Sequence, residues 1–162
     1  MSSRDGVGVT EIGHENESRS LVVGYEEPGS YKWSIKYVIS MEHIIAIMNL
    51  SKNCEQFIKY ECRGSSIRHG GSHYGWWVSR QGSKMNYWGG AAVNSSGCAC
   101  GMTDTCAGGR KCNCNVNDKT WREDSGYLTD KNTLPVTELR FGDTGHEGEK
   151  GYHTLGKLRC WG

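Results

Sequence analysis

Eight cysteines, Cys54, Cys62, Cys98, Cys100, Cys106, Cys112, Cys114 and Cys160, are the side chains best suited by type and spacing to do chemistry. Five of them crowd into Cys98–Cys114 as C-x-C, five residues, C, five residues, C-x-C. A tetrahedral zinc site prefers C-x2-C knuckles in matching pairs, and C-x-C spans one ion poorly. The intervening loops are rich in Gly, Asn and Thr, which suits a stapled, loop-dominated segment. The even count predicts disulfides at all eight positions and an oxidising, extracellular compartment. Eight cysteines allow about a hundred connectivities, and spacing does not choose among them. Three sequons, at Asn16, Asn49 and Asn94, agree with secretion.

Paired cysteines leave no thiolate nucleophile. No G-x-S-x-G elbow, H-E-x-x-H, P-loop or dinucleotide fingerprint occurs. Of six histidines, only His69-x3-His73 has metal-like spacing, and it lies in a Gly-rich loop. These features predict a binding protein rather than an enzyme. Lys+Arg is 19 and Asp+Glu is 18, a balance that gives no field for nucleic acid or an acidic membrane. No apolar run reaches the roughly 18 residues of a membrane-spanning helix. Met1 to Asp5 is polar and unlike a signal peptide, so a mature, secreted form is expected.

A chain of 162 residues suits one domain with a core of its own. Residues 1–20 read as a polar N-terminal segment, a tail or loosely held loop, and residues 21–162 as a single stapled domain. Leu21-Val22-Val23 reads as a short strand, and Glu26-Glu27-Pro28-Gly29 as a turn. Trp33, Ile35, Tyr37 and Ile39 alternate with polar or smaller residues, which predicts a half-buried strand. The period then changes. Met41, Ile44, Ile45 and Met48 fall at i, i+3, i+4 and i+7, a helical face that Ser40 can cap. Phe57 to Cys62 is a further strand, too long for Cys54 and Cys62 to bond across it. Tyr74–Val78 and Met85–Trp88 flank a hairpin turn at Arg80–Ser83. Val136–Phe141 and Tyr152–Arg159 complete the predicted strands. The fold class is α+β, with small antiparallel sheets, one main helix and a large disulfide-rich irregular region.

The stretch from Cys54-Glu55-Gln56-Phe57 to Cys62 is distinctive, as is Tyr87-Trp88-Gly89-Gly90. With Cys98-Ala99-Cys100-Gly101, Cys112-Asn113-Cys114, Trp121-Arg122, Leu134-Pro135-Val136, Gly142-Asp143-Thr144 and Leu158-Arg159-Cys160, it resembles the fibrinogen-like module of contactin-associated, neurexin-IV-type adhesion receptors. The resemblance covers residues 54–162 and implies a fibrinogen-like domain. A fainter likeness to the fibrillar-collagen C-propeptide implies a Cys62–Cys160 bridge. As a nearly free-standing chain carrying Gly145-His146-Glu147-Gly148-Glu149-Lys150-Gly151-Tyr152-His153-Thr154, it also resembles the calcium-dependent galactose-binding lectins of sea anemones.

That likeness implies a secreted lectin for galactose-terminated glycans, with Ca2+ as cofactor. Calcium takes about six to eight oxygen ligands, and vicinal sugar hydroxyls can supply two. The densest oxygen cluster holds Asn115, Asn117, Asp118, Glu123 and Asp124, directly after the Cys112/Cys114 staple. Asp104 is a second candidate. The expected metal set is Asp104, Asn115, Asn117, Asp118 and Asp124. The alternative is that these residues cap turns. The expected sugar set is Trp88, Glu147, Tyr152 and His153, with an aromatic ring stacking on the apolar sugar face. Core packing competes for each Trp, and a plain solvated loop competes for residues 145–154. Agglutination needs multivalency, so a homodimer or higher oligomer is expected. The other function class is an extracellular protein–protein adhesion or matrix module without a sugar pocket.

Overall fold

The structure is a computed structural model that describes residues 2–4 and 7–162, with side chains from Gly8 onward. Met1, Asp5 and Gly6, part of the N-terminal segment read above, lie outside the described residues. Among the described residues, twelve strands and one α-helix follow in chain order. They are β1 (Ser2–Arg4), β2 (Val7–Ile12), β3 (Ser20–Val22), β4 (Tyr31–Ser34), α1 (Met41–Asn49), β5 (Asn53–Arg63) and β6 (Arg68–His69). Then come β7 (Ser72–His73), β8 (Trp76–Val78), β9 (Lys84–Met85), β10 (Arg122–Leu128), β11 (Glu138–Phe141) and β12 (Lys150–Trp161). The class is α+β, as the periodicities predict.

The main sheet runs β1-β2-β12-β5-β10, with β3 also paired to β12, and its pairings are antiparallel. A second sheet runs β4-β11-β8-β9. Along β5 the side chains alternate: Gln56, Ile58, Tyr60 and Cys62 are buried, while Phe57, Lys59, Glu61 and Arg63 are half-exposed. This is the period of a strand with one face on the core. The two sheets meet through aromatic rings. Tyr60 of β5 stacks on Phe141 of β11 with centroids 4.2 Å apart and planes 9° apart. His153 of β12 lies parallel to the same Phe141 at 5.7 Å, and Trp88 tilts against it at 5.9 Å. Gly151 sits under the Tyr60 hydroxyl, where a Cβ would collide with the phenol.

Helix α1 forms where the period-3.6 stripe predicts it. Ser40 Oγ accepts the His43 N–H, and Ile44 and Met48 are buried. A fully buried Gln56 ties the elements together. Its Oε1 accepts the Val136 N–H at 2.9 Å, and its Nε2 donates to Tyr37 Oη and to the Gly156 carbonyl. Every hydrogen-bonding atom of that side chain is used, so its burial costs little.

Several expectations are corrected. The N-terminal segment is no loose tail, because β2 pairs with β12 from Val9↔Trp161 to Ile12↔Leu158. The alternation from Trp33 to Ile39 does not make one strand. β4 ends at Ser34, where its pairing to β11 ends at Glu138, and Tyr37 makes only an isolated bridge to His14. Strand β10 was not foreseen. It pairs with β5 along its length, and Gly126 there meets Gly89 backbone to backbone, with no room for a Cβ on either. At Gly89 the chain thus packs directly against its own backbone.

All eight cysteines are paired: Cys54–Cys160, Cys62–Cys114, Cys98–Cys112 and Cys100–Cys106. The Cys62–Cys160 bridge implied by the collagen likeness is absent. Cys160 lies directly across from Cys54 in the β12–β5 register, while Cys62 lies near the far end of β5. Eight strand residues separate those ends by about 27 Å, far beyond disulfide reach. Mass mapping of an unreduced digest is expected to recover a Cys62–Cys114 peptide pair. A Cys62–Cys160 pair would refute this register.

Candidate functional site

The five residues expected to hold calcium are dispersed by their own partners. Asp124 points inward from β10 and is only 3% exposed. Its Oδ1 accepts the Asn113 N–H at 2.9 Å and its Oδ2 accepts the Cys114 N–H at 2.8 Å. It thereby caps the 3-10 turn Asn113–Val116. Burial pushes its carboxyl upward, and the two amide donors pull it back. Asp118 forms a forked pair with Arg122, Oδ1 to Nε at 3.1 Å and Oδ2 to Nη2 at 2.8 Å. That guanidinium holds the Asp118 carboxyl below its usual range. Asn115 Oδ1 accepts the Arg68 N–H at 2.8 Å. Asn117, in the left-handed region at φ 57°, donates its amide to Asp143 Oδ2 and the Gly64 carbonyl. Asp104 is exposed on a separate loop. Among the described residues, Asp124 groups with only Cys98 and Cys112, whose sulfurs are bonded to each other.

The expected sugar set also divides. Trp88 and His153 are each 1% exposed and belong to the core. His153 Nε2 meets Tyr31 Oη at 2.8 Å, and burial lowers its pKa to about 4. Neither ring can stack on a ligand. Tyr152 is next to His153 on β12 and therefore faces the other way. Glu147 is exposed in the turn before β12.

Tyr152 marks a surface that sequence reasoning assembled only in part. The outer face of the main sheet carries Phe57 and Tyr127, edge to face at 5.5 Å, and Trp121 and Tyr152, at 5.7 Å. The Arg19 guanidinium lies 3.5 Å above the Tyr152 ring and pairs with Glu61 at 2.7 Å. Lys59 pairs with Glu123 at 3.4 Å. Trp121 is 47% exposed and Leu21, across from Tyr152, is 51% exposed. A cleft of about 320 Å3 opens here between Arg19, Glu61, Trp121, Arg122 and Glu123. Trp121 and Arg122 carried the family resemblance without being given a role. A Trp preceding Arg-Glu-Asp was the available clue.

A second cluster joins the loop before β12 to the turn after β3. His146 Nε2 lies 3.5 Å from Glu26 Oε1, and the His146 N–H donates to Glu149 Oε1 at 3.0 Å. Burial raises the Glu149 carboxyl, and the nearby charges of Asp143 and Glu26 raise it further. Asp143 Oδ2 accepts from both the N–H and the hydroxyl of Ser66 at 3.1 Å. Such a group of carboxyls can share protons or hold a cation. Glu26 had been read only as a turn residue.

His153 carries a pH dependence with a definite sign. Its folded pKa of about 4 lies below the ordinary 6.5, so the neutral ring stabilises the fold above pH 6.5. That contribution, roughly 3 kcal/mol, is lost as pH falls from 6.5 toward 4. The stability gap between the native chain and His153→Gln is expected to shrink by about that amount from pH 7 to pH 4 in urea unfolding. A gap independent of pH would show that the ring is not buried in the aromatic stack.

No family model matches the chain. Among curated proteins, neurexin-4 of Drosophila melanogaster is 40% identical across 98% of this chain and 13% of its own length. Contactin-associated protein 1 of Rattus norvegicus and of Homo sapiens is 33% identical across 94% of this chain and 11% of its own. The chain is therefore similar, over nearly all of its residues, to one module of neurexin-4 and contactin-associated protein 1, and it spans only 11–13% of the length of these relatives.

Proposed function

We propose that the chain is an extracellular, non-catalytic protein-interaction module of fibrinogen-like type that binds through the outer face of its main sheet. The observation that carries this reading is the Trp121–Tyr152–Arg19 group, in which Trp121 and Arg19 are exposed and Tyr152 is half-buried between them. Aromatic and Arg side chains are the types that dominate binding energy at protein interfaces. The Arg19 cation lies over an aromatic face, and the Glu61 and Lys59–Glu123 charges around it give a polar rim. The similarity to contactin-associated protein 1 supports a protein partner of the contactin class. Four disulfides support an oxidising compartment.

Biolayer interferometry against an immobilised contactin ectodomain tests this. Trp121→Ala, at an exposed position outside the hydrophobic core, is expected to weaken binding about thirtyfold without altering the circular dichroism spectrum. Native-like binding by the variant would remove the face from the interface, and no binding by the native chain would remove the partner.

A second reading is calcium-assisted galactose recognition. The exposed ring of Trp121, beside the half-buried Tyr152, favours a sugar, since it offers the flat apolar surface that Trp88 and His153 do not. The Asp118 and Asp124 carboxylates, engaged by Arg122 and by backbone amides, do not fit a calcium shell, and Glu26 and Glu149, grouped with His146, are the carboxylates left to supply one. Retention on galactose resin in calcium, and release by EDTA, are expected on this reading. Retention that ignores EDTA would remove the ion, and no retention would remove the sugar.

A further inference from the structure

A third region is used by neither reading. Hairpin β6–β7 and the stapled loop before Cys112 face each other across a cleft of about 430 Å3. Its lining includes Arg68, His69, Arg110 and Lys111, the bare Gly70-Gly71 turn and Asn115, and no carboxylate. The three permanent cations have no acidic partner within 4.0 Å among the described residues, whereas Arg19, Lys59, Arg122, Arg140 and Arg159 are all ion-paired. The concentration of positive charge is felt nearby. After burial itself, Arg68 and Lys84 are the groups that lower the pKa of His73, the residue across the hairpin from Arg68.

The walls are held in place. Asn115 Oδ1 takes the Arg68 N–H and fixes β6 against the 3-10 turn. The Lys111 carbonyl accepts the Cys98 N–H at 3.0 Å, beside the Cys98–Cys112 bridge. Asn113 Oδ1 accepts the Ala107 N–H at 2.8 Å on the other side of Arg110. Gly70 and Gly71 have open space where side chains would stand, so a large ligand can approach the cations closely. Cations on a fixed frame bind an oxyanion with little ordering cost.

From this geometry we infer that the Arg68–Arg110–Lys111 cleft binds the sulfate esters of a sulfated glycosaminoglycan. The shared chemistry is a tetrahedral oxyanion carried on a polyanion, and Arg forks suit it. The choice of sulfate over phosphate rests on the extracellular reading above. The adjoining cleft shares Gly109, Arg110 and Lys111 but brings in Asp104, a charge of the wrong sign, so the anion belongs on the Arg68 side.

Heparin affinity chromatography of the intact chain tests the inference, with salt-dependent affinities measured beside it. The Arg110→Gln/Lys111→Gln double variant alters two exposed loop residues and spares every disulfide. It is expected to bind heparin about tenfold more weakly, with the log–log salt slope reduced by about 1.5 to 2. Trp121→Ala is expected to bind heparin normally, and the double variant to bind the contactin ectodomain normally, so the two surfaces fail independently. Equal heparin affinity of the double variant and the native chain would overturn the inference. So would undiminished binding to fully desulfated heparin. Inositol hexakisphosphate binding in place of heparin would transfer the site to phosphate and overturn the glycosaminoglycan assignment.

Discussion

The two sheets of this protein are held together by a short stack of flat rings, and much else follows from it. Tyr60, Phe141 and His153 come from three strands, of which β5 lies far in the chain from β11 and β12. Ring packing of this kind adds about 0.5–1.5 kcal/mol per pair beyond the area it buries. The polar tips are satisfied at the same time. Tyr60 Oη meets Ser65 Oγ, and His153 Nε2 meets Tyr31 Oη. Because β5 and β12 alternate around Tyr60 and His153, committing these two to the interior commits Glu61 and Tyr152 to the outside. The exposed aromatic face is thus a consequence of the core.

The carboxylates divide in the same manner. Asp124 faces inward and replaces water with two backbone amides, which makes a buried charge tolerable and holds the stapled turn. Asp118 faces outward and fixes Arg122 beside Trp121. Both residues look like ligands when read in sequence, and both act as fasteners of the chain that carries them. The carboxyls of Glu26, Asp143 and Glu149 differ, since they crowd one another instead of each finding a cation.

What was legible in the sequence was local. The Met41–Met48 stripe, the hairpin around Arg80–Ser83 and the alternation into Cys62 each depend on neighbours within a few residues, and each forms as expected. Full pairing of the cysteines was legible from number and context. The partner of Cys62 was not, because register between strands a hundred residues apart is set by packing and leaves no local mark. β10 escaped notice because Arg-Glu-Asp-Ser-Gly-Tyr-Leu lacks an apolar alternation, its inward positions being a capped Asp124 and a Gly126 pressed on Gly89. The inward course of His153 leaves no mark for a similar reason: alternation shows that adjacent residues face opposite ways, not which way is in.

The segment from Arg110 to Arg122 connects the basic cleft to the aromatic face. Cys112 and Cys114 bond to Cys98 and Cys62, Asn115 holds β6, and Asp118 holds Arg122, so this strap is fastened at nearly every turn. A flexible strap would have to be ordered each time either surface bound, and each ordering would cost affinity. A fixed one lets both surfaces stand ready at a constant separation. The near-zero net charge of the chain hides this arrangement, since it sums the cations of the cleft with carboxylates elsewhere, such as Glu26 and Glu149. Local charge, not total charge, decides what such a module attracts.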